Sequence, residues 1–210
     1  MLCKGAIETS TLELLLKLQE ATLLNDFFLA GGTSLAMQIE HRKSIDLDLF
    51  TTNDFDSNKL LEFLEENFGF RLDYSEKNKL KGSINNVKID FISHKYPLVK
   101  TPVNLLKAKI LSIADIAAMK LNAIAGNGTR SKDFIDIYFI LKQFSVQEII
   151  NFYNIKYKTR NSLHVIKSLN YFDDISTQDW PDMILEKNLS LTKVKQSIEK
   201  NIAIFFNQLK

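Results

Sequence analysis

"FFLAGGTSLAMQIEHRKSIDLDLF", residues 27–50, runs from an apolar segment through two adjacent glycines, Gly31 and Gly32, to the pair Asp46 and Asp48. Alternate residues of a strand share a face, so the two aspartates point one way while Ile45, Leu47 and Leu49 point the other. The apolar row can pack on helices. The opposite face then carries neighbouring carboxylates, which repel unless a proton or a cation lies between them. A hard divalent cation such as Mg²⁺ suits such oxygen ligands. For an isolated Asp-x-Asp, a solvated strand face is the plain alternative.

The flanking sequence adds weight to the cation reading. "VKIDFIS", residues 87–93, sets Val87, Ile89 and Phe91 on one face and Asp90 on the other with Lys88. Beside the first strand, Asp90 would complete a three-carboxylate cluster able to hold two metals for phosphoryl or nucleotidyl transfer. Gly31-Gly32, between a strand and a helix, lets the backbone approach a ligand closely. Thr33 and Ser34 then start a helix whose free N–H groups favour a phosphate. Tight turns use glycine too, so the glycines gain meaning only in combination with the three aspartates.

Composition bounds the rest. The 210 residues are 45% hydrophobic and 25% charged, an ordinary globular balance with enough chain for a substantial core. A net charge of +2 requires any nucleic-acid contact to come from a local basic surface. One cysteine, Cys3, cannot form an internal disulfide, which suits a reducing compartment. The first residues read as a helix and not as a signal peptide, and no apolar run is long enough for a membrane span, so the expected location is the cytoplasm. His41, His94 and His164 share no metal-ligand spacing, which argues against zinc. No GxxxxGK[ST] loop or GxSxG elbow occurs, and Cys3 is a poor nucleophile candidate.

Periodicity predicts helices over 9–25, 33–41 and 56–69, then 112–125, 132–143, 146–157, 161–170 and 190–208, with Ser145 and Glu148 forming a capping box. Strands are predicted over 26–30, 44–50 and three segments between 70 and 93, the last two joined by Asn85-Asn86. The expected architecture is α/β (α+β): a mixed sheet with flanking helices over 1–105, then a helical bundle over 106–210.

The second half offers one further group. Lys120 is the only charge in "IAAMKLNAIAGNGT", so it either reaches a ligand or snorkels at a helix edge. Asp133 and Asp136 share a helix face, and the helix dipole alone accounts for Asp133. Arg130 and Lys132 read as phosphate or RNA contacts or as solvated loop charges.

Together, "GGTSLAMQIEHRKSIDLDLF" and "DIAAMKLNAIAGNGTRSKDFIDIYFIL" resemble the AbiEii family of nucleotidyltransferase toxins, within the DNA polymerase β-like superfamily. The resemblance spans roughly 29–141. It implies a nucleotidyltransferase fold and a metal-dependent transfer of a nucleoside monophosphate from an NTP, with Asp46, Asp48 and Asp90 as ligands for Mg²⁺ or Mn²⁺. It also implies that Gly31, Gly32, Thr33, Ser34 and Lys120 bind phosphates. Arg42, in "HRKSIDLD", becomes a nucleotide contact with Arg130, Lys132 and Asp133, and Asp136 joins the active cleft near Lys120. An RNA acceptor such as tRNA and a cognate AbiEi-type antitoxin in a type IV pair follow from the same resemblance. A phosphotransferase, a protein-modifying nucleotidyltransferase and a non-catalytic partner-binding module remain as alternatives.

Overall fold

The structure is a computed structural model that describes residues 5–208; Cys3 lies outside the described residues. The fold is mixed α/β, with a seven-stranded sheet and α-helices before, within and after it. The chain divides into two compact units. Among the described residues, one comprises 5–39, 43–96 and 102–111; the other comprises 40–42, 97–101 and 112–208.

In the first unit, helix α1 (Thr9–Glu20) precedes the two-residue strand β1 (Phe28–Leu29) and helix α2 (Gly31–Ile39). Strand β2 (Leu47–Thr51) leads to α3 (Ser57–Phe68), followed by β3 (Arg71–Glu76), β4 (Lys79–Ile84) and β5 (Val87–Ser93). A short hairpin, β6 (Val103–Leu105) and β7 (Ala108–Ile110), completes the sheet. The strand order is β3-β4-β5-β2-β1-β7-β6, with β2–β5 and β1–β7 parallel and the other pairs antiparallel. One core joins Leu14, Leu15 and Leu18 of α1 and Leu60 and Leu64 of α3 to Leu47, Leu49, Ile89 and Phe91 of the central strands. Leu47 and Leu49 form the apolar row expected from the alternation, with the intervening residues on the other face, but Ile45, expected beside them, lies ahead of the strand and is 57% exposed.

Local signals act as the sequence indicates. Asp56 caps α3 by accepting from the N–H groups of Asn58 and Lys59, and Gly69 ends it in a left-handed conformation. Asn85 and Asn86 are both left-handed, as a tight β4–β5 turn requires. Two elements differ from expectation. The helix expected from residue 33 already starts at Gly31, and the strand expected from 44 starts only at Leu47. Residues 97–111, where no element is predicted, contain the β6–β7 hairpin. Because β7 pairs with β1 through Leu29 and Ile110, the sheet unit continues past the expected boundary at 105.

The second unit is helical: α4 (Ile113–Gly126), α5 (Ser131–Ile140), α6 (Val146–Tyr157), α7 (Leu163–Leu169) and α8 (Leu191–Gln208). Ser145 and Glu148 form the full capping box at α6. Asp115 and Lys156 form a buried ion pair at 2.9 Å, and Asp115 also accepts from the N–H groups of Val99 and Lys100. These bonds fasten segment 97–101 to the helical unit. Among the described residues, no helix is long and apolar enough to cross a membrane.

Candidate active site

The sheet unit places two of the three expected aspartates, Asp48 and Asp90, on the face away from its core. Asp48 of β2 and Asp90 of β5 are direct partners in the parallel register, so both side chains leave the same face. Gly31 has φ +64°, and a Cβ there would overlap Oδ2 of Asp48. Only glycine allows that carboxylate to lie against the turn. The Ala30 N–H donates to the Asp48 carbonyl at 2.7 Å, which ties the turn to the strand.

Asp46 sits just ahead of β2, on an exposed stretch. Its backbone carbonyl accepts from the Thr33 hydroxyl at 2.5 Å, and Thr33 also shares a hydrogen bond with Ser44 at 2.8 Å. Thr33 therefore positions the segment carrying Asp46. The Ser34 hydroxyl is buried and donates to the Leu111 carbonyl at 3.3 Å. Both hydroxyls expected at a phosphate are thus engaged with protein. The phosphate-compatible groups that remain at this turn are the N–H groups opening α2.

Among the described residues, no three His, Cys, Asp or Glu side chains are gathered into a metal-ligand set. The matched pair is Asp48 and Asp90, and the ammonium of Lys81 on β4 makes an ion pair with Asp90 Oδ2. The donor chemistry fits a divalent cation, since two carboxylates share one face and one is held in a glycine cradle.

The helical unit contains a second charged assembly. Asp136 of α5 accepts from Nε2 of His41 at 2.7 Å, from Nε and Nη2 of Arg42 at 2.8 and 3.0 Å, and pairs with Lys120 Nζ at 2.7 Å. Lys120 also donates to Asp133 Oδ1 at 2.6 Å. All five side chains are buried. Burial alone would raise the Asp136 carboxyl, but Arg42, Lys120 and His41 hold it well below the usual carboxylate range. Burial would lower Lys120; Asp136 and Asp133 outweigh it and push the ammonium up. For His41 burial dominates over the bond to Asp136, and its pKa falls. A neutral His41 must donate from Nε2 to the carboxylate, which leaves Nδ1 as a buried acceptor without a hydrogen-bond partner.

Lys120 and Asp136 do lie together, as expected of them. The Lys120 ammonium, however, meets two carboxylates, and the Arg42 fork is bidentate on Asp136. Arg130 is 60% exposed with Nε 4.0 Å from Asp133 Oδ2, and Lys132 lies 3.9 Å from Asp179. These two cations are the ones open to solvent.

The sequence profile described as nucleotidyl transferase AbiEii toxin, Type IV TA system, matches residues 13–196. The chain belongs to the AbiEii nucleotidyltransferase toxin family. An uncharacterized protein of Aquifex aeolicus is 33% identical over 177 residues, covering 81% of this chain and 85% of its own. Among solved structures, the nucleotidyltransferase toxin MenT4 of Mycobacterium tuberculosis superposes with a TM-score of 0.63 at 15% identity, covering 94% of this chain and 82% of its own. JHP933 of Helicobacter pylori gives 0.56 at 16% identity, covering 97% and 95%. At these identities the structures establish the shared fold.

Within this AbiEii member, sequence reasoning missed two residues. His41 carries no metal-ligand spacing, and its bond to Asp136, ninety-five positions away, has no local signature. Lys81 was passed over within "KLKGSI". Its alternation with Leu80 and Gly82 was legible, but its placement opposite Asp90 depends on strand register.

Proposed function

We propose that the chain transfers a nucleoside monophosphate from an NTP to an RNA acceptor, with tRNA the leading candidate, as the toxin of a type IV pair whose partner is an AbiEi-type antitoxin. The observation that carries this reading is the register of Asp48 against Asp90 beside the Gly31 turn. Family membership supports the reaction class. Asp48 and Asp90, with Asp46 upstream, would hold Mg²⁺ or Mn²⁺, which when bound neutralises phosphate charge and lowers the pKa of an attacking hydroxyl.

The protein's own groups divide the remaining work. The N–H groups of Gly31 and Gly32 at the start of α2 donate to triphosphate oxygens, aided by the helix dipole. Asp90 receives the proton of the attacking hydroxyl as its oxygen bonds to the α-phosphorus and the bond to the departing pyrophosphate breaks. Arg130 and Lys132, being solvent-accessible, meet RNA phosphates without breaking a buried pair. Lys120, Arg42, Asp133 and Asp136 act as one ion-paired unit, in which Asp136 and Asp133 hold Lys120 charged against its burial.

The test is incubation of the purified protein with Mg²⁺, total RNA and each NTP labelled on the α- or γ-phosphate. Label from the α-phosphate in RNA supports the proposal. Label in protein, or transfer of the γ-phosphate, would replace it with protein modification or phosphotransfer. Asp48→Ala is expected to abolish transfer by several orders of magnitude, since groups acting as a catalytic unit fail together. Growth inhibition that survives Asp48→Ala would point to partner binding without catalysis.

A further inference from the structure

Two carboxylates directly opposite each other on neighbouring strands repel. Asp48 and Asp90 are such a pair. The next strand, β4, sets Lys81 opposite Asp90 in antiparallel register, and its ammonium engages Asp90 Oδ2. Lys81, Asp90 and Asp48 therefore form a row of charges across three adjacent strands. The row lies on the face away from Leu80, Phe91 and Leu49, which are buried in the core.

The other cations of these strands do not fill this place. Lys79 is bonded to Glu76 at 3.0 Å, and Lys88 lies opposite Ser83, two positions along the strand from Asp90. The Lys81 side chain is 38% exposed and that of Asp90 24%. The ammonium can leave Asp90 for water without opening the core, so its hold on the carboxylate is exchangeable.

We propose that Lys81 is a resident counter-cation of the carboxylate pair, and that it sets the affinity for a divalent metal by competing for Asp90. This rests on the reading that Asp48 and Asp90 hold the metal. Without metal, Lys81 offsets the repulsion between the two facing carboxylates. When a divalent cation binds, it must displace the ammonium from Oδ2 or bind in its field. Either way the bound positive charge is opposed by one already in place. The arrangement makes metal occupancy responsive to concentration instead of permanent.

Removing that charge is expected to tighten metal binding by roughly tenfold, the scale of one unit charge a few ångström away at a partly exposed surface. The probe is Mn²⁺ alone, titrated into the nucleotide-free full chain and followed by electron paramagnetic resonance and calorimetry. Lys81→Met and Lys81→Gln should both bind about tenfold tighter than the unaltered protein, while Lys81→Arg, which keeps the charge, stays within about threefold of it. The Mg²⁺ concentration for half-maximal transfer should fall in Lys81→Met by the same factor.

Asp48→Asn supplies the reference, since it removes a ligand. Thermal melts in chelator check that each variant is folded, and using two neutral replacements keeps the test decisive if one folds poorly. Unchanged or weaker Mn²⁺ binding in folded Lys81→Met and Lys81→Gln, with Asp48→Asn clearly impaired, overturns the role of Lys81 and leaves the metal reading standing. Binding of Mn²⁺ that is equally weak in the unaltered protein and in Asp48→Asn overturns the metal reading and the counter-cation role together.

Discussion

Replacing Asp136 with alanine should be among the most damaging single changes in the helical unit. The carboxylate is fully buried and serves three partners: His41, both nitrogens of the Arg42 fork, and Lys120. Truncation leaves the guanidinium without its bidentate acceptor and takes one of two carboxylates from Lys120, which keeps Asp133 at 2.6 Å. Removing one side of a buried ion pair costs about 3–5 kcal/mol, because an uncompensated charge remains inside. In a chain of this size each kcal/mol moves the melting temperature by about 2–4 °C, so a fall on the order of 10 °C is expected.

Urea titration followed by the fluorescence of Trp180, the chain's single tryptophan, reads this directly, because Trp180 lies in the helical unit. Asp136→Asn should cost less, since the amide keeps one carbonyl acceptor for Arg42. Adding Arg42→Met to Asp136→Asn should cost less than the sum of the two single changes, because it removes the charge that the first change stranded. A loss within about 1 kcal/mol for Asp136→Ala, or strict additivity in the cycle, would refute the view of this cluster as a coupled unit.

The same cluster gives stability an acid dependence. Asp136 has a folded pKa well below its ordinary 3.8, so its contribution is present above that value and is lost as pH falls through the folded pKa. The folded pKa of His41 is lowered from 6.5, so the unfolded chain takes up a proton first and stability declines as pH drops below 6.5. Glu186, held at about 2 against burial by Lys142, Lys193 and Tyr138, adds a further loss below pH 4.5. Urea midpoints measured from pH 7 to 3 should fall throughout and steepen in the acid range; a flat profile would contradict these shifts. Lys120, whose pKa is raised above 10.5, contributes in the opposite direction: its stabilisation is complete below that value and disappears at higher pH, as an alkaline titration of the Lys120→Met variant against the unaltered protein would show. Gly31→Ala should destabilise by about 1–2 kcal/mol and abolish transfer, since φ +64° disfavours a side chain and the new Cβ would displace the Asp48 carboxylate. Gly126→Ala, where a Cβ meets nothing within 4 Å, is the matched control and should leave both readings unchanged.

Much of this protein was legible along the chain because the relevant physics is local. Alternation of Leu47, Asp48 and Leu49, and of Ile89, Asp90 and Phe91, assigns an inner and an outer sheet face without any knowledge of neighbours. Asp56, Ser145 with Glu148, and Gly69 mark helix ends because caps act over three or four residues. The family motifs were likewise contiguous stretches. Tertiary structure decided what depends on distant partners. Strand register brought Asp90 beside Asp48 and Lys81 beside Asp90, and a slip of one residue would have turned all three to the core. Pairing of β7 with β1 moved the end of the sheet unit beyond residue 105. Asp136 gathered His41 and Arg42 from more than ninety positions away into one buried network. A sequence specifies which groups can carry charge; whether a charge meets solvent, a metal or another side chain depends on contacts closed only by folding.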